Sequence, residues 1–388
     1  LDDLDDLLGD LGLPAGGSAD AGGGEGDASA QGASPEAAAG QGEAGREQPP
    51  RPAEPELVFG TMTGDRPAPD TLNRKRFRIA LFGDFSGRAA RGQIETGAAL
   101  AARAPVMLDP DTVEDIIEGF AEDMVLPLGR DGAGVHLPLS GLDDLHPDEI
   151  FANVPLFAEL KALRAQLGAG ATADAALARL KTWAETHDMP LAPSRRRSAA
   201  TAVPADCRLS DFQRLIGASA PAPATAVPLD EMIARIVGPH LRQAPDGQAI
   251  AAVDASVAAA MRLILHHPDV QALEAQWRSL DLLARSVEAD DRLDIMLYDI
   301  SAEEIAADLA ASEDLSDSGL VQLLTGPPLD EDTGRGGYSA LIGLYTFEET
   351  PVHAQILGRI ARVAAHVDAP FVSALSTGFM ATPRDDRH

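Results

Sequence analysis

Cysteine and aromatic residues are scarce in this chain. Its 388 residues include one cysteine, Cys207, which excludes an intramolecular disulfide framework and favours a reducing compartment. Aromatic residues make up 4% of the chain and hydrophobic residues as a whole 45%, so any core must consist mainly of leucine, isoleucine, valine and alanine. The length is sufficient for two domains of ordinary size.

Positive charge is also in deficit. The chain carries 31 basic and 61 acidic residues, a formal net charge of −30, which argues against nucleic acid or an anionic membrane as a partner and leaves basic proteins open. No run of about 18 apolar residues occurs, and no basic segment precedes an apolar one. We therefore expect neither a membrane span nor a signal peptide, and predict a soluble, cytoplasmic protein.

The N-terminal region has few of the large apolar residues that a core requires. Residues 14–73 begin with a stretch rich in Gly, Ala, Ser, Glu and Pro, and we predict a disordered tether because such a composition cannot offset the entropy of ordering. Residues 1–13 precede it as a short acidic peptide with leucines at positions 4, 7, 8 and 11 on one helical face. Such a peptide either frays or docks into the groove of a partner.

Two segments, residues 74–186 and 229–388, have the patterns of globular structure, and a Pro/Ala-rich linker at 187–228 separates them. In the first segment we predict a central strand at residues 77–83 and a helix from residue 111. The remaining elements of this segment are an antiparallel strand pair and two helices: residues 124–128, 135–139, 154–167 and 174–185.

The second segment alternates helices with strands. Ser301 and Glu304 have the spacing of a capping box that opens one of its helices. The other predicted elements are helices at residues 229–237, 250–265 and 353–367 and strands at 293–300, 340–347 and 370–375. The fold class is therefore predicted as α/β, mixed α+β, with two sheet-plus-helix domains and a disordered N-terminal tail.

The stretch from Leu263 to Leu283 combines a helical stripe with a distinctive residue order. Hydrophobic residues recur in it at three- and four-residue steps and so share one face of a helix that must be buried: Val270, Leu273, Trp277, Leu280 and Ala284. On the opposite face Glu274 lies four residues before Arg278, the favourable order for a helical ion pair.

No catalytic or metal-binding arrangement is recognisable in the sequence. The loop Gly83–Gly87 follows a predicted strand but has the spacing of neither a dinucleotide-binding loop nor a phosphate-binding loop. The adjacent His266 and His267 point in different directions on a helix, so we expect them to pack or to cap the helix rather than bind zinc. We therefore predict no enzymatic activity, no cofactor and no metal site.

The residue order of the helical stretch, together with Tyr338–Gly343 and Ala369–Val372, resembles the large subunit (TssC/VipB-like) of the contractile sheath of type VI secretion systems. Its signature positions here are His267, Pro268, Leu273, Glu274, Trp277 and Arg278. The family continues well past this point, so the resemblance implies that residues 229–388 hold a truncated, N-terminal part of the large subunit.

The first segment is similar to the small subunit (TssB/VipA-like) of the same sheath. Arg76–Gly87 matches that family's strand and aspartate-containing turn, with Asp84 and Gly87 as signature residues, and Leu145–Ile150 matches it further on. The two subunits are normally separate chains. The resemblance therefore implies a natural fusion, with the linker joining small subunit to large.

The resemblance implies a structural protein that assembles into a helical tubule around an inner tube and contracts to drive protein and effector secretion. The implied partners are other sheath protomers, the inner tube protein, the baseplate and a disassembly AAA+ ATPase (ClpV-like). By position, the helix that this ATPase grips corresponds to residues 209–217, where four apolar side chains share a face: Leu209, Phe212, Leu215 and Ile216.

Two alternatives remain open at this stage. The stripe at residues 209–217 is equally consistent with a helix that packs on its own domain. The acidic composition is also compatible with a non-enzymatic adaptor or scaffold module that binds basic protein partners. A sheath predicts large helical assemblies, whereas an adaptor predicts a discrete monomer or dimer.

Overall fold

Strands from both globular segments meet in one five-stranded sheet of the computed structural model. Strand β1 (Phe77–Gly83) lies between β6 (Leu293–Asp299) and β7 (Ala340–Phe347) and runs parallel to both. Strand β8 (Phe371–Leu375) extends the sheet beyond β7, and the two-residue β2 (Val106–Met107) pairs antiparallel with β6. The strand predicted as central in the first segment is therefore flanked on both sides by strands of the second.

The structure describes residues 57–66, 77–128, 133–191, 225–243, 248–287, 293–326 and 337–376. All of them lie in one unit, residues 55–388. The N-terminal peptide, most of the predicted tether and the linker helix at residues 209–217 lie outside the described residues, so their assignments stay predictions.

The register of β1 sends its side chains into two cores, one on each face of the sheet. Leu81 lies opposite Leu297 of β6 and Ile342 of β7. Because successive residues of a strand point to opposite faces, Leu81 enters the core that contains Leu297, while Ala80 and Phe82 enter the other. Both cores therefore depend on a strand of the first segment.

A second, three-stranded sheet contains the predicted antiparallel pair. Strands β3 (Met124–Pro127) and β4 (Ala133–Leu137) pair antiparallel, with Leu126 opposite Val135. Strand β5 (Thr225–Ala226), which lies near the end of the predicted linker, pairs parallel with β4. The chain thus returns to the sheet of the first segment before the second segment begins.

Eleven α-helices among the described residues pack on the two sheets. In chain order they are α1 (Ala98–Ala101), α2 (Val113–Phe120), α3 (Pro147–Asn153), α4 (Pro155–Gly168), α5 (Ala173–Thr186), α6 (Leu229–Gln243), α7 (Ala249–Leu265), α8 (Pro268–Ser286), α9 (Ala302–Ala311), α10 (Gly319–Thr325) and α11 (Pro351–His366). Single 3₁₀ turns lie at Pro110–Thr112, Leu142–Leu145 and Leu315–Asp317.

Side-chain caps fix where helices α9 and α11 begin. The Ser301 hydroxyl accepts the N–H of Glu304 at 3.1 Å, and the Glu304 carboxylate accepts the N–H of Ser301 at 2.9 Å, which confirms the predicted capping box. Thr350 caps α11 in the same way by accepting the N–H of His353 at 3.2 Å, and Pro351 occupies the first helical position.

The mixed α and β class predicted from the sequence is confirmed. The strands predicted at residues 77–83 and 340–347 have those bounds in the structure. The short helices α1, α3 and α10 and the strands β2 and β5 were not anticipated, because each has seven residues or fewer and leaves no periodic pattern. The domain boundaries stay a prediction, although the two segments share one sheet and both of its cores.

Residues 57–66 differ from the disordered tether to which the sequence assigned them. They form an extended stretch that pairs at Thr61 with Asp314, in the second segment. Tertiary hydrogen bonds, which composition does not reveal, order them.

Among the described residues, no single helix is both long and apolar enough to span a membrane. Helices α7 and α8 are long and apolar enough only when they are taken together, and the chain bends by 57° between them.

Candidate functional site

Buried charged side chains collect where β1 and β6 end. Asp84 directly follows β1, Asp299 is the last residue of β6, and Glu304 lies in the first turn of α9. The carboxyl ends of neighbouring parallel strands lie at the same edge of a sheet, which brings these carboxylates together. Arg88 and Arg103 of the first segment complete a group that we call the junction cluster.

Glu304 is the centre of the junction cluster and is fully buried. Its carboxylate accepts hydrogen bonds from Arg88 Nε at 3.1 and 3.2 Å and from both terminal nitrogens of Arg103 at 3.0 Å. Arg103 also donates to the carbonyl oxygen of Asp299 at 2.7 Å. A buried charge is tolerated only when it is paired and hydrogen-bonded. Two arginines of the first segment therefore satisfy one carboxylate of the second.

Asp84 organises the turn that follows β1. Its carboxylate accepts the N–H groups of Arg88 at 2.6 Å and Ala89 at 3.0 Å, and the side chain is fully buried. Burial, followed by the negative charge of Asp299, raises the pKa of Asp84 to about 7. Gly87 has a φ of 72°, a conformation that favours glycine, so the turn explains this signature residue.

Asp299 holds the same turn from the second segment. Its carboxylate accepts the hydroxyl of Ser86 at 2.7 Å and the N–H of Ser86 at 3.1 Å. Burial raises the pKa of Asp299, and the hydrogen bonds from Ser86 oppose this effect. The turn after β1 is thus fixed by a carboxylate from each segment.

Helix α8, which carries the signature residues of the second segment, also docks on this turn. Trp277 is fully buried, and its indole Nε1 donates to the carbonyl oxygen of Phe85 at 2.7 Å. Gln276 donates to the carbonyl oxygen of Leu344 in β7 at 3.1 Å. A Cβ atom at Gly83 would lie 2.4 Å from Oε1 of Gln276 and 2.8 Å from the ring of Phe85, so a side chain there would displace both. Trp277, a signature residue of the second segment, thus binds the turn that carries the signature residues of the first.

The histidine and proline of the signature form the start of α8. His267 is buried and occupies the N-cap, where its Nδ1 accepts the N–H of Asp269 at 3.3 Å, and Pro268 is the first helical residue. Burial lowers the pKa of His267, and the backbone of Pro127 opposes the shift. A neutral imidazole is the form that accepts this hydrogen bond.

The structure brings some of the signature residues together and leaves others apart. Asp84 and Gly87 share the turn that Trp277 contacts, and Leu273 lies buried on the same face of α8. Glu274 and Arg278 pair with each other at 2.7 Å on the outer face of α8. The four apolar residues of the linker helix at 209–217 lie outside the described residues.

The residues with the most contacts in the site left no recognisable pattern in the sequence. Glu304 was recognised only as a cap, and Arg88 and Arg103 carried no signal because their partner lies about 200 positions away. Within the described part of the chain, no group of three or more His, Cys, Asp or Glu side chains could hold a metal ion. The buried arginines of the first segment neutralise a buried carboxylate of the second, and these contacts join the two segments.

Comparison with known proteins bears on the second segment. Residues 247–385 match the family model VipB, EvpB/VC_A0108, tail sheath N-terminal domain. The type VI secretion system sheath protein TssC1 of Pseudomonas aeruginosa is 35% identical over 136 residues, which cover 34% of this chain and 26% of TssC1. We call residues 247–385, which are similar to the N-terminal domain of the type VI sheath large subunit, the sheath region. No solved structure matches the chain.

The sheath region contains helix α8 and strands β6, β7 and β8, and therefore three of the five strands of the main sheet. The predicted resemblance to the large sheath subunit is confirmed for these residues. The chain spans about a quarter of the length of TssC1. The likeness of residues 74–186 to the small subunit stays a prediction.

Proposed function

We propose that this chain is a sheath protomer in which residues 74–186 act as the small subunit and the sheath region acts as part of the large subunit. The observation that carries the proposal is the position of β1 between β6 and β7, inside the sheet of the sheath region. A sheet that contains strands of both segments holds them as one unit, and a covalent linker makes their association intramolecular.

The contacts of the junction cluster support the same proposal. Glu304 pairs with Arg88 and Arg103 across the boundary between segments, and Trp277 binds the turn after β1. Each of these side chains is largely removed from water, where a charge-assisted hydrogen bond is stronger than at the surface. The two segments are thus held by main-chain pairing, a buried ion network and an indole hydrogen bond.

In this proposal the protomer is a building block rather than a catalyst, and it acts in the cytoplasm. Protomers stack in a head-to-tail helical lattice around an inner tube, attached to a baseplate, because a heterologous contact that does not close generates a filament. Contraction of the lattice then drives secretion of proteins and effectors. Similarity of residues 247–385 to a sheath protein supports the assembly of protomers.

The linker has a separate proposed role. We propose that residues 209–217 are the helix that a disassembly AAA+ ATPase recognises. Its apolar face, which the ATPase covers on binding, consists of Leu209, Phe212, Leu215 and Ile216. Replacing Phe212 and Leu215 with alanine should weaken binding of the ATPase without changing the melting temperature of the chain. Unchanged ATPase binding would show that residues 209–217 are not the helix that the ATPase recognises.

A cut in the linker tests whether the two segments form one protomer. A site for a specific protease is inserted between Thr201 and Ala202, and the cleaved protein is analysed by size-exclusion chromatography. We expect the two fragments to co-elute, because the sheet and the junction cluster hold them without the linker. A cleaved form of the Trp277→Ala variant should separate more readily.

Separation of two folded fragments from the cleaved wild-type chain would contradict the fused-protomer proposal. It would favour the adaptor alternative, in which the acidic chain recruits basic proteins and its two segments act independently.

A further inference from the structure

Residues 57–66, which we call the strap, lie against a surface of the second segment and form hydrogen bonds with it. The surface consists of residues 313–316, just after α9, together with Gly358 and Arg359 of α11. We call it the strap site. The strap adds no strand to the main sheet.

Main-chain and side-chain hydrogen bonds hold the strap in an extended conformation. The N–H of Thr61 donates to the carbonyl oxygen of Glu313 at 2.8 Å, and the N–H of Leu315 donates to the carbonyl oxygen of Thr61 at 3.0 Å. The N–H of Gly64 donates to the hydroxyl of Ser316 at 2.6 Å. The strap thus pairs through its main chain at one residue, Thr61, and such main-chain bonds are also used when proteins bind extended peptides.

Asp314 adds a side-chain contact that depends on the sequence of the strap. Its carboxylate accepts the N–H of Thr63 at 3.2 Å and also the hydroxyl of Thr63. The hydrogen bond from Thr63 is the main reason that the pKa of Asp314 is lowered to about 2. Threonine at this position is therefore recognised by both its backbone and its hydroxyl.

An aromatic side chain fills a notch in α11. A Cβ atom at Gly358 would overlap the ring of Phe59, so the ring occupies space that only a glycine leaves free. Gly60 follows with a φ of 72°, and a Cβ atom there would lie 2.9 Å from the carbonyl oxygen of Glu313. The site thus favours an aromatic residue followed by glycine.

The floor of the strap site is a buried arginine. Arg359 is 3% exposed and donates to the carbonyl oxygens of Leu309 at 2.5 Å and Ser312 at 3.0 Å, where it caps the end of α9. A Cβ atom at Gly60 would lie 3.5 Å from Nη1 of this arginine. The strap therefore lies over a cation that protein oxygens already pair, so its departure leaves Arg359 paired and breaks an exposed ion pair between Arg66 and Asp368.

Most apolar side chains of the strap stay partly in water. Leu57, Val58 and Phe59 remain 40%, 46% and 36% exposed, whereas Met62 packs, partly buried, against the core that contains Phe82. A segment with few buried contacts and exposed hydrogen bonds opens locally at a lower free energy than the core. The strap is thus held specifically but weakly.

We propose that the strap is a tethered peptide ligand which leaves and rebinds its site while the rest of the fold stays intact, and which the same sequence supplied in trans can replace. The ligand class is an extended peptide with the order aromatic, glycine, threonine, apolar residue, threonine, glycine, as in Phe59–Gly64, where Met62 packs against the core. The inference stands independently of the sheath proposal, since it uses only contacts of the strap.

The Gly358→Ala variant tests release of the strap. Alanine has a higher helix propensity than glycine, so the substitution should not weaken α11 itself. The added methyl group, however, occupies the space of the Phe59 ring. We expect hydrogen exchange at Thr61 and Gly64 to rise by at least about tenfold with no fall in melting temperature. The control is Gly119→Ala in α2, where nothing lies within 4 Å of the added atom.

Unchanged exchange in the Gly358→Ala variant would overturn the proposal, since the notch would then not hold the strap. A fall in melting temperature together with faster exchange would also overturn it, because the strap would then be an integral part of the fold.

A labelled peptide of residues 57–66 tests replacement in trans. The probe is titrated into the full chain carrying Phe59→Ala, which weakens the resident strap and leaves the site open. We expect the peptide to bind this variant at least about tenfold more tightly than the Phe59→Ala/Gly358→Ala double variant or the wild type, whose strap competes at a high effective concentration. Equal binding to the single and double variants, or no binding to either, would refute the proposal.

Discussion

Replacement of Glu304 is the sharpest perturbation of the contact between the two segments. The Glu304→Ala variant leaves Arg88 and Arg103, whose side chains are 14% and 12% exposed, without their common buried acceptor. Removing one partner of a buried ion pair costs about 3–5 kcal/mol when the remaining charge is left uncompensated. Here both arginines still pair with Glu95, whose side chain is 49% exposed, so we expect a cost near the lower end, about 3 kcal/mol. Since whole domains are stable by about 5–15 kcal/mol, we expect a large loss of unfolding free energy.

The matched control is Glu274→Ala. Glu274 also pairs with an arginine, Arg278, at 2.7 Å, but on the outer face of α8, where such a pair contributes about 0.2–0.5 kcal/mol. Urea unfolding followed by tryptophan fluorescence and far-ultraviolet circular dichroism gives both free energies. A loss below about 1 kcal/mol for Glu304→Ala would show that the junction cluster does not hold the segments together.

A double-mutant cycle separates the ion pair from the helix cap that Glu304 also supplies. The cost of Glu304→Ala combined with Arg103→Ala should be smaller than the sum of the two single costs, because removal of either partner already breaks the pair. Additive costs would mean that the cap alone explains the effect of Glu304.

The remaining predictions concern other parts of the same interface. The folded pKa of Asp84, about 7, lies above the ordinary value of 3.8, so its contribution to stability is complete below about pH 4 and is lost as pH rises towards 7. The unfolding free energy of the wild type should therefore fall relative to Asp84→Asn by up to about 1.4 kcal/mol per pH unit in this window, and parallel pH profiles would refute this. Trp277→Ala should cost about 3–5 kcal/mol in urea unfolding, and a cost below 1 kcal/mol would mean that the indole does not anchor α8. Gly238→Ala should lower stability by about 1–3 kcal/mol, because its Cβ atom would lie 2.6 Å from the backbone oxygen of His187. Gly168→Ala, which meets no atom within 4 Å, is the control for this comparison, and equal melting temperatures of the two variants would contradict the expected clash.

The sequence was most informative where a pattern is local. The bounds of β1 and β7 and the buried stripe of α8 followed from apolar spacing within a few turns of chain. The capping box at Ser301 was also predictable, because both of its partners lie within four residues.

The sequence was least informative about pairing between distant elements. Strand β1 pairs with β6 more than 200 positions further along the chain, and alternating side chains do not specify which strand lies next to which. For the same reason Glu304 was recognised as a cap but not as the partner of two arginines. The strap at residues 57–66 was assigned to the tether, because its order comes from Asp314 and Ser316 and not from its own composition.

The central claim is that two segments of one chain act together in a sheath protomer, one as the small subunit and the other as part of the large subunit. Negative-stain electron microscopy of the complete protein, expressed together with its neighbouring tube protein, tests it most directly. The account predicts hollow helical cylinders. Discrete particles from a soluble, full-length product would contradict it.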